Sequence, residues 1–350
     1  MRFCKYLIVL LVALQMTSCD SISAYFDGNK ASSNIKTTTF FINSSDDLMA
    51  VAEKLYDADI IDDKTAFLSI AEYKDFSSEK LGAGKYEIEP ETAYKNLING
   101  FTKNRLGNGN LEVEVNITFN NCQDIKDIAS IVSKQIELDS ALFVDYVMRD
   151  SVLSTYGFSE ERIISLFIPD TYRMYWDTDH IEFTTYMAKA FKKFWTAERM
   201  AKLNKSGALK SQSDAVTLAS IVYKEQSKYP EEWADIAGLY INRLKKGMKL
   251  QSDPTFRYCW GDELDGVERL LIVHREKDCP YNTYIYAGLP PGPICIPPAA
   301  VVDAVLNAEN NNYLYMCAKP GGEGLHNFAK SYNQHLKNAR KFQTWMNNRN

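Results

Sequence analysis

The chain has 350 residues, of which 45% are hydrophobic and 24% charged. That composition allows a sizeable packed core, arranged as two domains or as one large domain with a smaller companion. The formal net charge of -5 excludes the basic excess of a general nucleic-acid binder, but not a glycan, which needs aromatic faces and neutral hydrogen-bonding groups.

Arg2 and Lys5 precede an apolar run from Tyr6 to Met16, and small residues follow up to Cys19. The run between Lys5 and Asp20 is shorter than the roughly 20 residues that a spanning helix needs. Met16-Thr17-Ser18-Cys19 resembles a bacterial lipoprotein signal with Cys19 as the lipidated residue, although Met16 stands where Leu is usual. A lipid anchor, an uncleaved membrane anchor and simple secretion remain open at this point. All three put the rest of the chain outside the cytoplasm. Residues 1–19 thus read as signal or anchor and 20–39, polar and small, as a tether.

From Phe40 strand-like and helix-like pieces alternate. Leu48, Val51, Ala52 and Leu55 fall at helical spacing behind Asn43-Ser44-Ser45, which supplies capping residues, and Lys85 to Glu89 alternates like a strand. Residues 40–105 form a small α/β module in this reading, similar in element order to a LysM-like glycan-binding unit, or plain scaffold. The same spacing returns in Ile125, Ile128, Ala129 and Val132, inside a second region over 110–345. There, Ser165 to Tyr172 is an apolar run ending in a turn, and one long helical stretch spans Phe183 to Lys202. Ser213 to Lys228 predicts a helix opened by Ser and Asp. Pro230 opens the next helix, whose stripe is Trp233, Ile236, Ala237, Tyr240, Ile241 and Leu244, and Gly247 ends it.

Glu225 lies three, four and seven residues after Val222, Ile221 and Leu218, so it shares their apolar face. A carboxyl placed there has its pKa raised, and one still protonated near neutral pH can protonate a leaving oxygen. Near a helix end the same Glu can also turn to solvent or pair with Lys224 or Lys228. Further polar and aromatic groups suit a sugar ligand: Gln251 and Asp253 in Leu250-Gln251-Ser252-Asp253-Pro254-Thr255, and Tyr281, Asn282 and Tyr284 in Tyr281-Asn282-Thr283-Tyr284. Gly288-Leu289-Pro290-Pro291-Gly292-Pro293-Ile294 reads as a rigid wall, and His326 follows a glycine-rich turn. Cys259 and Cys279 bracket one loop and either pair in an oxidising compartment or remain small buried thiols. The histidines lack HExxH spacing, and neither CxxC nor GxSxG occurs, so the sequence gives no support to a metal site, a cofactor or a serine hydrolase.

Together, Leu218-Ala219-Ser220-Ile221-Val222-Tyr223-Lys224-Glu225, Ile241-Asn242-Arg243-Leu244, the Gln251-Ser252-Asp253 segment, Tyr281-Asn282-Thr283-Tyr284 and Gly288-Leu289-Pro290-Pro291-Gly292 resemble the YceG-like family of endolytic murein transglycosylases. Phe167-Ile168-Pro169-Asp170-Thr171-Tyr172 and Gly324-Leu325-His326-Asn327-Phe328 fit as well, so the resemblance runs from about Phe40 to Asn338. It implies an α+β protein with a small LysM-like α/β module followed by a larger mixed α/β catalytic domain. It further implies a lyase that cuts peptidoglycan glycan strands without cofactor or metal, with Glu225 as acid/base. Tyr223 departs from the acidic or amide residue frequent at its position, and the stretch from Trp260 to Lys277 differs from the family pattern. Expected partners are peptidoglycan strands, the membrane through the N-terminal anchor, and peptidoglycan synthases. The rival readings are a non-catalytic peptidoglycan-binding scaffold and a hydrolytic muramidase with Asp253 as second carboxylate.

Overall fold

The computed structural model describes residues 26–105, 109–264, 266–267 and 271–348, so the anchor reading and Cys19 lie outside the described residues. Two compact units divide the chain. The first takes the described residues up to Ile117 together with Lys134–Leu138 and Tyr172–Asp179.

In the first unit, β1 (Thr38–Ile42) leads to α1 (Leu48–Asp57), α2 (Lys64–Tyr73), β2 (Gly84–Ile88) and α3 (Tyr94–Gly100). Strands β1 and β2 pair antiparallel, from Thr38 opposite Ile88 to Ile42 opposite Gly84. Alternation turns Phe40, Ile42, Tyr86 and Ile88 inward onto Val51, Leu55, Phe67, Ile70 and Leu97. The helical spacing at Leu48 to Leu55 holds, but the cap differs from the one expected at Asn43-Ser44-Ser45. Asp47 caps α1 by accepting from the Ala50 N–H at 2.7 Å, and Asp63 caps α2 through the Ala66 N–H at 2.9 Å. Farther on, β3 (Glu114–Thr118) and β4 (Thr171–Tyr175) make a second two-stranded sheet.

The second unit comprises the described residues of Thr118–Ser133, Asp139–Thr171 and His180–Asn350. It begins with α4 (Ile125–Val132), whose Ile125, Ile128, Ala129 and Val132 are buried as their spacing predicts. The long stretch expected from Phe183 to Lys202 is two helices, α5 (His180–Phe194) and α6 (Ala197–Ser206). The break falls where the Thr196 hydroxyl accepts from the Arg199 N–H and restarts the helix.

Helix α7 (Gln212–Glu225) is the centre of this unit, with every position from Ser213 to Val222 buried. It packs against α8 (Trp233–Lys245), α9 (Asp253–Trp260) and α10 (Ala299–Leu306). Ser211, rather than Ser213, caps it, and it stops at Glu225 rather than Lys228 because Gln226 turns extended at φ -142°. The Gln226 side-chain oxygen then accepts from the N–H groups of Lys228 and Tyr229, both at 3.2 Å, and fixes the exit. Pro230 opens a 3-10 turn, Pro230–Glu232, ahead of α8. Gly247 follows α8 at φ +65°, the left-handed value that suits glycine. The antiparallel hairpin β5 (Tyr315–Ala318) and β6 (His326–Ala329), then α11 (Tyr332–Asn347), complete the unit. The result is a mixed α/β protein with many helices and short antiparallel sheets.

The Pro-Gly loop after Gly288 is stapled down at several points. Arg162 donates to the Pro291 carbonyl at 2.9 Å and to Asp214 on α7 at 2.9 Å, and Ile294 N–H donates to the buried Ser220 hydroxyl at 3.0 Å. A Cβ on Gly292 would lie 2.0 Å from the Glu161 carbonyl oxygen, a backbone atom with little freedom to move. Gly292→Ala is therefore expected to destabilise the second unit by about 1–3 kcal/mol, as overpacking does. Urea denaturation would measure it, and a change under about 0.5 kcal/mol, the usual range for unconstrained surface positions, would contradict the close approach.

Candidate active site

Glu225 is the last residue of α7, and its carboxyl sits among groups from three separate segments of the second unit. Oε1 accepts from the Tyr240 hydroxyl on α8 at 2.7 Å and from the hydroxyl of Ser252, the residue that opens α9. Both donors converge on one oxygen, so when the acid is protonated its proton belongs on Oε2. The residue keeps some surface, yet its carboxyl is deeply set and burial is the largest cause raising its pKa. Hydrogen bonds from Ser252 and Tyr240 pull the other way, the charge of Asp253 adds to the rise, and His326 opposes it. The net direction is upward. Tyr240 is 2% exposed, and burial together with Glu225 pushes its phenol far above the ordinary value, so it remains a donor.

Ser252 is held rigidly. Its N–H donates to Thr283 Oγ1 at 3.0 Å, the Thr255 hydroxyl donates to its carbonyl at 2.7 Å, and the two threonine hydroxyls meet at 2.8 Å. All three residues are essentially inaccessible to water. Gln251, just before, adopts φ +51°, a left-handed conformation that costs a non-glycine residue on the order of 1–3 kcal/mol. Its N–H donates to the Thr283 carbonyl at 3.2 Å, while Arg243 binds the Leu250 carbonyl at 2.7 Å and the Leu314 carbonyl. The backbone strain is thus borne by a framework that delivers one hydroxyl to Glu225.

The other expected site residues occupy varied positions. Asp253 accepts from the Tyr284 hydroxyl and from Arg275 at 3.4 Å, and acts on Glu225 through its charge. Tyr284 is thereby tied to Asp253, with Arg275 stacked 4.9 Å over its ring. Tyr281 packs against Tyr258 at 4.6 Å between ring centroids. Asn282 differs from the expectation of a sugar-binding amide: it is fully buried and spends its groups inside the loop. Its Nδ2 donates to the carbonyls of Arg275 and Lys277, and its oxygen accepts from the Tyr284 N–H. His326, at the start of β6, faces Glu232 at 2.8 Å through Nδ1. Tyr240, Ser252 and Glu232 were not singled out as site residues by sequence. A tyrosine within an apolar helix stripe was the available signal for the first, since a buried phenol needs a partner. Cys259 and Cys279 form a disulfide, closing the loop between them.

Folded Glu225 holds its proton to higher pH than the same residue in the unfolded chain. It therefore lowers stability progressively as pH climbs above the ordinary carboxyl value of about 4.3, until the folded group has also ionised. Glu225→Gln removes that cost. Thermal unfolding should show the variant's advantage growing with pH across this window, and a gap that stays constant or shrinks would contradict the raised pKa.

The family model described as the YceG-like family matches residues 40–341. The Endolytic murein transglycosylase of Bacillus subtilis is 39% identical over 127 residues, 36% of this chain and 34% of that protein. A protein of the same name from Streptococcus pneumoniae strain D39 is 24% identical over 323 residues, 87% of this chain and 58% of that protein. The chain thus spans less than two thirds of the length of these curated relatives. The crystal structure of a yceG-like protein from Listeria monocytogenes is 25% identical with a TM-score of 0.53, covering 86% of this chain and 98% of that one. With its family match running through both units and the Glu225 site, the chain belongs to the YceG-like family.

Proposed function

We propose that this protein is an endolytic peptidoglycan lytic transglycosylase, a lyase in which Glu225 is the acid/base. The single observation that carries the reading is the enclosed carboxyl of Glu225, with Tyr240 and Ser252 both on Oε1 and the pKa raised by burial. Such a group can bring a proton to a glycosidic oxygen at neutral pH. The name shared by the curated relatives supports the substrate class.

In the reaction, Oε2–H protonates the oxygen linking N-acetylmuramic acid to N-acetylglucosamine, and the C1–O bond breaks. The muramic C6 hydroxyl attacks C1 and gives its proton to the Glu225 carboxylate, which returns to its starting state. The product carries a 1,6-anhydromuramyl end, and no water is consumed. One carboxyl serves both steps because the nucleophile belongs to the substrate, whereas ordinary glycosidases need two carboxylates. The hydroxyls of Tyr240 and Ser252 stabilise the carboxylate midway. Gln251, Asp253, Tyr281, Tyr284 and His326 line or position the sugar-binding region, and Asn282 shapes it from beneath.

The strand-helix-helix-strand order of β1, α1, α2 and β2 supports reading 40–105 as a LysM-like glycan-binding module, with 110–345 as the catalytic domain. The Cys259–Cys279 disulfide supports a location outside the cytoplasm. Among the described residues no helix is long and apolar enough to cross a membrane, so attachment is assigned to the N-terminal segment through Cys19 or the apolar run. Action on nascent strands beside a peptidoglycan synthase, ending their elongation, completes the reading.

Digestion of purified glycan strands, with mass analysis of the new ends, tests the chemistry. Wild-type protein should leave anhydro ends, and Glu225→Gln should cut about 100- to 10,000-fold more slowly. Ends one water heavier would instead favour the muramidase using Asp253, and undiminished cutting by the variant would remove Glu225 from the mechanism. The rate should fall as pH rises through the raised Glu225 pKa, because the acid must hold its proton. Tyr240→Phe deletes a hydrogen bond to the charged form, so it should move that falling limb to higher pH. A move to lower pH would show that Tyr240 does not favour the carboxylate.

A further inference from the structure

Glu232 ends the 3-10 turn before α8 and is only 8% exposed, so water cannot satisfy its charge. Protein donors do so instead. Oε1 accepts from the His326 backbone N–H at 2.8 Å, and Oε2 accepts from Gln226 Nε2 at 2.9 Å and lies 2.8 Å from His326 Nδ1. An oxygen that close to a ring nitrogen requires a proton between them, and because both Glu232 oxygens already accept from N–H donors, as a carboxylate does, the proton is assigned to Nδ1. In neutral imidazole the lone pair is then on Nε2. Gln226 is the residue after Glu225, and its Nε2 also donates to the Gly324 carbonyl, two residues before His326. Glu232 therefore joins the end of α7, where Glu225 stands, to the start of β6, where His326 stands.

We infer that Glu232 is a positioning residue that fixes His326 as the Nδ1–H tautomer, making Nε2 an acceptor for a hydroxyl or amide N–H of the glycan held at Glu225. The inference rests on the lytic reading for its substrate, while the tautomer stands on the geometry alone. Glu232→Gln is nearly isosteric, but its amide can donate to Nδ1 and so move the ring proton to Nε2. Incorrect tautomers at carboxylate–histidine pairs are costly to catalysis.

The test uses the full chain with 15N-labelled histidine, the His326 signals being assigned by comparison with His326→Gln. Wild-type protein should show protonated Nδ1 and unprotonated Nε2, and the Nε2 signal should move when soluble uncross-linked glycan strands are added. Glu232→Gln should reverse the tautomer and lower kcat on strands roughly 100-fold. Glu232→Asp should keep the wild-type tautomer and recover part of the rate, which a purely structural loss would not. The inference is overturned if wild-type His326 carries its proton on Nε2, if Glu232→Gln leaves the tautomer unchanged, or if reversal costs neither rate nor the glycan response. Failure of the lytic reading would show itself separately, as wild-type protein that leaves strands uncut while the tautomer and the Nε2 response still decide the role of Glu232.

Discussion

Removing a carboxyl group from water is expensive, and the arrangement of the second unit follows from doing so at Glu225. Helix α7 is enclosed from Ser213 to Val222, and its last residue emerges among Tyr240, Ser252 and the charge of Asp253. Were the carboxyl fully solvated it would ionise like any other. Were it enclosed without donors, its charged form would be too costly to appear during a catalytic cycle. Two hydroxyls on one oxygen offset part of the cost of burial, so the acid holds its proton to higher pH than a solvated carboxyl while the anion remains accessible. In the proposed reaction, acid and base duties are thus two states of one group.

That balance depends on precise placement, and the surrounding framework supplies it. The Thr255 and Thr283 hydroxyls lock Ser252 through bonds that never reach solvent. The left-handed Gln251 shows that the chain tolerates strain to keep this register. On the opposite approach, Ser220 and Asp214 tie α7 to the Pro-Gly loop. Tyr240 and Ser252 therefore touch Glu225, while Thr255, Thr283, Arg243 and Ser220 hold the surrounding segments in place.

Glu225 was legible because helical spacing from Leu218, Ile221 and Val222 is a local property. The end of its helix was not, because it depends on Gln226 capturing the N–H groups of Lys228 and Tyr229. The interruption between α5 and α6 had a visible cue in Thr196, outweighed by continuous helix-forming residues on either side. Asn282 shows the limit of reading by residue type: an amide suits a sugar or a loop carbonyl equally, and only the fold selects between them. Tyr240, Ser252 and Glu232 come from separate elements that the fold brings together. The apolar stripe signalled that the Tyr240 phenol needs a partner, but which groups pair with Glu225 and His326 has no one-dimensional trace.

The Cys259–Cys279 bond joins residues separated by 20 positions, and Asn282 grips the carbonyls of Arg275 and Lys277 near the same base. The base of the intervening segment is thereby clamped twice. Arg275, within it, reaches back to Asp253 at 3.4 Å and lies over the Tyr284 ring, so the chemistry of the segment bears on the site. The covalent closure therefore acts as a tether: by fixing where the segment leaves and rejoins the fold, it holds the Arg275 guanidinium within reach of Asp253 and Tyr284.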